Sequence, residues 1–297
     1  MSKRKILVTG GAGFIFSNFA RYVLKNSSDY NIISIDKFSH KSLNSVYRNK
    51  SHMVHIGDVS YSHFVDMVFT LEQPDYVIHA ADSKNLVNIL STQVIADACV
   101  RHKIKKLIYV SSNTVYGSSG LEFNEKSVLD PVDMHAVTKA SSEMLLSVIN
   151  GLNYDIVRLC NNYGPKQPVT SFIPSIIKNI YENNEVVLSH DGMMLNDWIH
   201  VQDTCSAILT ILNADSANEI YNISAKQECH DIEICQDICN MMEKGHDLIK
   251  FTSTNNSYKI SLNNDKIRSL GWKPVFKIRD GLAHTVNWYL NNLYFIR

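Results

Sequence analysis

The glycine-rich loop leaving the first apolar run constrains this chain more than any other feature. Ile6, Leu7 and Val8 run through Thr9 into Gly10, Gly11 and Gly13, and a helical pattern (Phe14, Phe19, Tyr22, Val23) opens directly behind. A continuous apolar run is what a parallel strand buried on both faces requires. Glycines at a strand-to-helix turn let backbone N–H groups approach a pyrophosphate, and the helix N-terminus favours its charge. A second apolar run, Ile32, Ile33 and Ile35, closes on Asp36. That acid stands about 20 residues beyond the last glycine, where a carboxylate reaches a nucleotide ribose.

Strand before, helix after and acid at the right spacing together describe a site for NAD. One position departs from the pattern, because its third glycine falls on Phe16. A glycine there lets helix and strand pack closely. A phenylalanine must point elsewhere or push the helix out, and overpacking costs about 1–3 kcal/mol. The motif therefore supports the fold more strongly than it supports the ligand.

Downstream the rhythm repeats. Strand patterns at Ile32–Asp36, Met53–Ile56, Tyr76–His79, Lys106–Ser111 and Tyr154–Leu159 alternate with helix patterns at Phe14–Lys25, Tyr61–Leu71, Leu86–Arg101 and Val137–Ile149. Such alternation implies an α/β fold with a doubly wound, Rossmann-like parallel sheet. A polar stretch, Phe38–Ser51, interrupts the early part. After Gly164-Pro165 segments shorten and polar loops (Ser189–Asp197, Ser253–Ser257) intervene. Helices are expected near Ser171–Glu182, Thr204–Leu212, Asp231–Met242 and Ile278–Leu290, and Asp197–His200 and Glu219–Ile223 are expected to return to the main sheet. The expected division is residues 1–165, rejoined by 198–225, as the dinucleotide-binding domain, with 166–197 and 226–297 forming a smaller α+β substrate domain.

At 297 residues with 45% hydrophobic and 20% charged residues, the chain has ample material for a core. Lys+Arg and Asp+Glu both number 29, so no global field favours nucleic acid or an anionic membrane. No apolar run approaches a membrane span, and Ile6–Val8 runs into glycines without the apolar region of a signal peptide. The expectation is a cytoplasmic protein. Its six cysteines mostly sit in apolar patterns, as reduced core cysteines do. Cys235 and Cys239 lie one helical turn apart near Cys229 and His230, but no CxxC knuckle accompanies them, and no metal site is expected.

Several short motifs occur in order: Val8-Thr-Gly-Gly-Ala-Gly-Phe-Ile15, Ile35-Asp-Lys37, Gly57-Asp-Val59, Val77-Ile-His-Ala-Ala81, Tyr109-Val-Ser-Ser112, Val115-Tyr-Gly117, Thr138-Lys-Ala140, Arg158 with Asn161 and Tyr163-Gly-Pro165, Tyr221-Asn-Ile223 and Leu270-Gly-Trp-Lys-Pro274. With them the chain resembles, over almost its whole length, the extended short-chain dehydrogenase/reductases that modify nucleotide sugars, above all the dTDP-glucose 4,6-dehydratases. The resemblance implies a tightly held NAD that takes hydride from the sugar C4 and returns it to C6 after water leaves. It places Gly10, Gly13, Phe14, Ile15, Asp36, Lys37, Asp58, Val59, Ala80, Ala81 and Lys139 at the cofactor. It also implies a homodimer paired through helices near Leu86–Arg101 and Val137–Ile149.

At the catalytic positions the resemblance breaks. Lys139 matches the family lysine, but four residues before it, where the family has its tyrosine base, stands His135. Ser112 matches the family Ser/Thr, while Asn113 and Thr114 replace the Asp-Glu pair that carries the dehydration. Neither an amide nor a hydroxyl titrates near neutral pH. On the substrate side only Asp82–Leu86 intervene before Val87-Asn88-Ile89. Asn196 stands where an arginine grips the diphosphate, and Lys259 where a second one does; lysine keeps the charge but loses the fork. An Arg-Pro pair before it is replaced by Ser253 and Thr254, whereas Asn161 is retained.

Two readings stay open. One is a nucleotide-sugar oxidoreductase, epimerase or weak dehydratase using His135, Ser112 and Lys139. The other is a relative with lost or strongly impaired dehydratase activity, which binds NAD or a nucleotide sugar or acts through a partner surface.

Overall fold

The first strand, β1 (Arg4–Thr9), is buried from Ile6 onward because it has neighbours on both sides and helices on both faces. The computed structural model describes residues 3–37, 46–82, 85–117, 122–252 and 259–296, with the backbone alone at 259 and 260. Most of the Phe38–Ser51 stretch and the Ser253–Ser257 loop lie outside the described residues.

From β1 the chain passes through α1 (Phe14–Asn26), β2 (Tyr30–Asp36), β3 (His52–Ile56), α2 (Ser62–Glu72) and β4 (Tyr76–His79). It continues through α3 (Val87–Arg101), β5 (Lys106–Ser112), the short β6 (Glu122–Phe123), α4 (Met134–Ser147) and β7 (Tyr154–Leu159). The second half holds β8 (Asn161–Tyr163), α5 (Phe172–Tyr181), β9 (Val186–Ser189), β10 (Leu195–His200), α6 (Val201–Asn213) and β11 (Glu219–Ile223). β12 (Glu228–His230), α7 (Asp231–Met241), β13 (Ile249–Thr252), β14 (Lys259–Leu262), α8 (Asp265–Ser269) and α9 (Ile278–Leu290) complete it.

Seven strands form one parallel sheet in the order β11-β7-β5-β4-β1-β2-β3. The order reverses between β1 and β4, and the crevice outside the strand C-termini at such a reversal is where open α/β sheets hold ligands. Two apolar clusters cover the sheet, one around Ile6, Phe16, Phe19 and Ile208, the other around Leu7, Val68, Ile95 and Ile156. A third, around Ile173, Ile177, Trp198, Ile234 and Val286, belongs to the second half. All six cysteines are free and buried.

Two expectations need correction. Glu219–Ile223 does join the main sheet as its edge strand, but Asp197–His200 does not. It is part of β10, which pairs with β8, β12 and β14 in a separate sheet. β11 already holds the main-sheet edge beside β7, and an apolar pattern reads alike in either sheet. The helix expected from Val137 begins three residues earlier, since the Asp133 side chain accepts from the Ala136 N–H at 2.8 Å and caps the new start. That places His135 and Lys139 one turn apart on α4.

Candidate functional site

The ends of β1 and β4 are joined by a buried hydrogen-bond chain. Thr9 Oγ1 accepts from the Ala80 and Ala81 N–H groups (3.1 and 3.0 Å), so its own proton goes to His79 Nδ1 at 2.7 Å. His79 Nε2 then carries the proton and donates to Thr92 Oγ1 (3.2 Å), which donates to the Asn88 carbonyl at 2.8 Å. Burial, then the Lys139 cation, pushes His79 down to about 3, which keeps this ring neutral.

Above these ends lies a cavity of about 400 Å³. Gly10, Gly13, Phe14, Ile15, Phe16 and Ala80 are on its wall, as are Asp82, Ser112, Asn113, Thr114, His135, Lys139, Asn161, Asn162 and Gln167. Gly10 has a φ of +71°, and a Cβ there would sit 2.9 Å from the Ala80 carbonyl oxygen. Only glycine combines that conformation with that closeness. No side chain caps α1 at Gly13, which leaves the first-turn N–H groups for a ligand. The Asp36 carboxylate accepts from the Ala12 N–H at 3.0 Å, so the acid at the end of β2 stands against the glycine loop.

Phe16 packs largely in the core, yet it also lines the cavity. It is 4% exposed and its ring centroid lies 6.0 Å from that of Phe19. The turn, the open helix end and the acid that fit a dinucleotide all survive, with Phe16 on the cavity wall beside them.

At the catalytic positions the Ser112 hydroxyl accepts from the Thr114 N–H (3.2 Å) and Thr114 Oγ1 (3.0 Å) and donates to Asn113 Oδ1 at 3.3 Å. The three residues satisfy one another, and none is an acid. His135 Nε2 lies 2.8 Å from Asp82 Oδ2 and Lys139 Nζ lies 3.3 Å from Asp82 Oδ1. A carboxylate only accepts, so His135 carries its proton on Nε2. Lys139 also donates to the Val110 carbonyl at 2.9 Å. Burial drives the Lys139 ammonium down against the pull of Asp82. Burial alone would raise the Asp82 carboxyl, but the His135 hydrogen bond and the Lys139 charge hold it well below the usual range.

The remaining expected residues are scattered around this centre. Lys37 and Asp58 pair with each other at 2.8 Å, and Val59 is buried in the core. Asn161 lines the cavity and donates to Asn196 Oδ1 (3.0 Å). Asn196 sits behind it and donates to Asp231 Oδ1 at 3.1 Å. Burial raises Asp231 to about 6. Lys259 pairs through its backbone with Leu195, and its side chain, like Ser253 and Thr254, lies outside the described residues. Sequence reasoning passed over Asp82 and Gln167. The signal for Asp82 was a carboxylate at the C-terminal end of a central strand; nothing local marked Gln167.

Fold and site together define a Rossmann-like class of protein with a dinucleotide-type glycine turn at the end of its first strand. The chain matches the profile of the NAD dependent epimerase/dehydratase family over residues 6–224 and belongs to that family. It is 29% identical to dTDP-D-glucose 4,6-dehydratase of Mus musculus, covering 98% of this chain and 90% of that one. It is 30% identical to dTDP-glucose 4,6-dehydratase of Streptomyces niveus, covering 97% and 93%. Among solved structures, dTDP-glucose 4,6-dehydratase from Bacillus anthracis str. Ames in complex with NAD superposes with a TM-score of 0.92 at 28% identity, covering 98% of each chain.

Proposed function

We propose that this chain binds NAD and a nucleotide sugar in the cavity above β1, β4 and β5, and does not carry out 4,6-dehydration. One observation carries the reading: Asn113 and Thr114 are hydrogen-bonded to Ser112 and bring no titratable group to the cavity. Removing water from a sugar needs one group to protonate the departing hydroxyl and another to take a proton from carbon. Bound NAD supplies a hydride acceptor. The chain's own residues supply the glycine turn, the open N-terminus of α1, the Lys139 cation and the neutral Asn161 amide. The family match and the NAD-bound relative support the cofactor, and the named activity of the relatives supports the sugar nucleotide.

A second reading rests on the His135–Asp82 pair. An imidazole held by a carboxylate can accept a hydroxyl proton at Nδ1, which suits oxidation or epimerisation without water loss. One experiment separates the two: purified protein with NAD and dTDP-glucose, followed by mass spectrometry and proton NMR of the sugar. Binding without conversion is expected. A product lighter by one water overturns the proposal, and an isomer of unchanged mass establishes the second reading.

The same proposal includes self-association and a reducing cytoplasmic setting. Leu86, Leu90, Met134, Val137, Met144 and Val148 are exposed apolar side chains at and along α3 and α4, which pack on each other. The six unbridged cysteines suit a reducing compartment.

A further inference from the structure

Asp82 is the one carboxylate lining the cavity, among the described residues, and it contacts both the Lys139 ammonium and the His135 ring there. Its two oxygens are divided between them, Oδ2 to His135 Nε2 at 2.8 Å and Oδ1 to Lys139 Nζ at 3.3 Å. Lys139 is 4% exposed and has no other carboxylate within ion-pair distance among the described residues. The rest of the cavity is built for an anion, with the glycine turn and the uncapped end of α1 on its wall.

We propose that Asp82 sets which ligands this cavity accepts, by holding Lys139 and His135 so that an incoming anionic group must compete with an internal carboxylate. The inference rests on the reading that the cavity takes NAD. A ligand of net negative charge meets two consequences of the same residue, and both lower its affinity. The Lys139 charge that would attract it is already neutralised, and the Asp82 charge repels it. A neutral ligand meets neither obstacle. Asp82 thereby lowers affinity for phosphate-bearing ligands selectively, while the cavity keeps its shape.

The test is equilibrium binding of NAD and of adenosine to the full chain by isothermal titration calorimetry, for wild type, Asp82→Asn and Asp82→Ala. Asp82→Asn keeps the shape and one acceptor oxygen while removing the charge, so it guards against a collapsed Asp82→Ala site; circular dichroism confirms the fold of each. NAD affinity should rise about tenfold in Asp82→Asn, the scale of one charge interaction at a partly exposed site. Adenosine affinity should stay unchanged. The 15N resonances of His135 should show Nε2 protonated in wild type and a mixture of tautomers in Asp82→Ala. Equal or weaker NAD binding in Asp82→Asn overturns the inference and leaves NAD binding by the wild type standing. An equal gain for adenosine overturns it too, since the effect is then steric. Binding of NAD by Asp82→Asn but not by wild type supports the inference and removes wild-type NAD binding from the proposed function. Absence of NAD binding in all three proteins overturns both.

Discussion

The Arg158 guanidinium on β7 grips the Glu143 carboxylate on α4 through Nε at 3.1 and 3.2 Å, with both side chains buried. Ser111 donates to the same carboxylate, and Arg158 Nη1 donates to the Tyr116 hydroxyl at 2.7 Å, which donates to Asn222 at 2.8 Å. One network thus clamps the helix carrying His135 and Lys139 to the sheet that carries Ser112. Removing one partner of a buried ion pair strands the other charge and costs about 3–5 kcal/mol. Glu143→Ala should lower unfolding free energy by that amount in urea denaturation, and a loss below about 1 kcal/mol would contradict the account.

Phe16 stands at the fingerprint's third glycine position but packs in the core against Phe19. Truncating a buried phenylalanine costs about 3–5 kcal/mol. Phe16→Ala should therefore destabilise the chain by that order, read from chemical denaturation. Phe16→Gly should lose at least as much and leave NAD affinity no better than wild type. A calorimetric titration showing tighter NAD binding in Phe16→Gly would mean the ring does obstruct the cofactor.

His200 is 1% exposed, stacked on Phe276 with ring centroids 3.9 Å apart, and its Nε2 lies 3.2 Å from His284 Nδ1. Burial, then His284, pushes His200 down to about 3. Below the ordinary value of 6.5 the unfolded chain takes up a proton that the folded chain refuses, so acid withdraws stability between about 6.5 and 3. Asp197 and Asp231, both raised by burial to about 6, act with the opposite sign, because the folded chain holds their protons more tightly. The His200 contribution is isolated by difference. Between pH 6 and 4 the stability of wild type should fall more steeply than that of His200→Asn, by up to about 1.4 kcal/mol per pH unit. Parallel pH profiles in urea titrations would show that His200 does not resist protonation.

The exposed face of α3 and α4 gives a prediction about assembly. Leu90 is 50% and Met144 68% exposed, and charges placed in an apolar interface cost heavily. Analytical ultracentrifugation should find a dimer for wild type and a monomer for Leu90→Asp/Met144→Asp, with unchanged circular dichroism. A wild-type monomer at tens of micromolar (roughly the range of weak association) would remove this face as the contact.

What the amino-acid order determined by itself was much of what depends on near neighbours. The apolar run Ile6–Val8 must be a buried strand, the glycines behind it must make a strand-to-helix turn, and the alternation of periods two and 3.6 makes a parallel sheet with helices on its faces. The absence of acids at Asn113 and Thr114 was equally plain, since it needs only residue identity. The tertiary structure alone decided which partners distant residues acquire. Phe16 turned into the core, β10 joined the second sheet, and Asp82, 53 positions from His135 in sequence, came to lie between it and Lys139. Periodicity reports which way a side chain faces along its own element. The charge that meets it across a cavity is set by the packing of β4 against β5 and α3 against α4, and no local pattern encodes that.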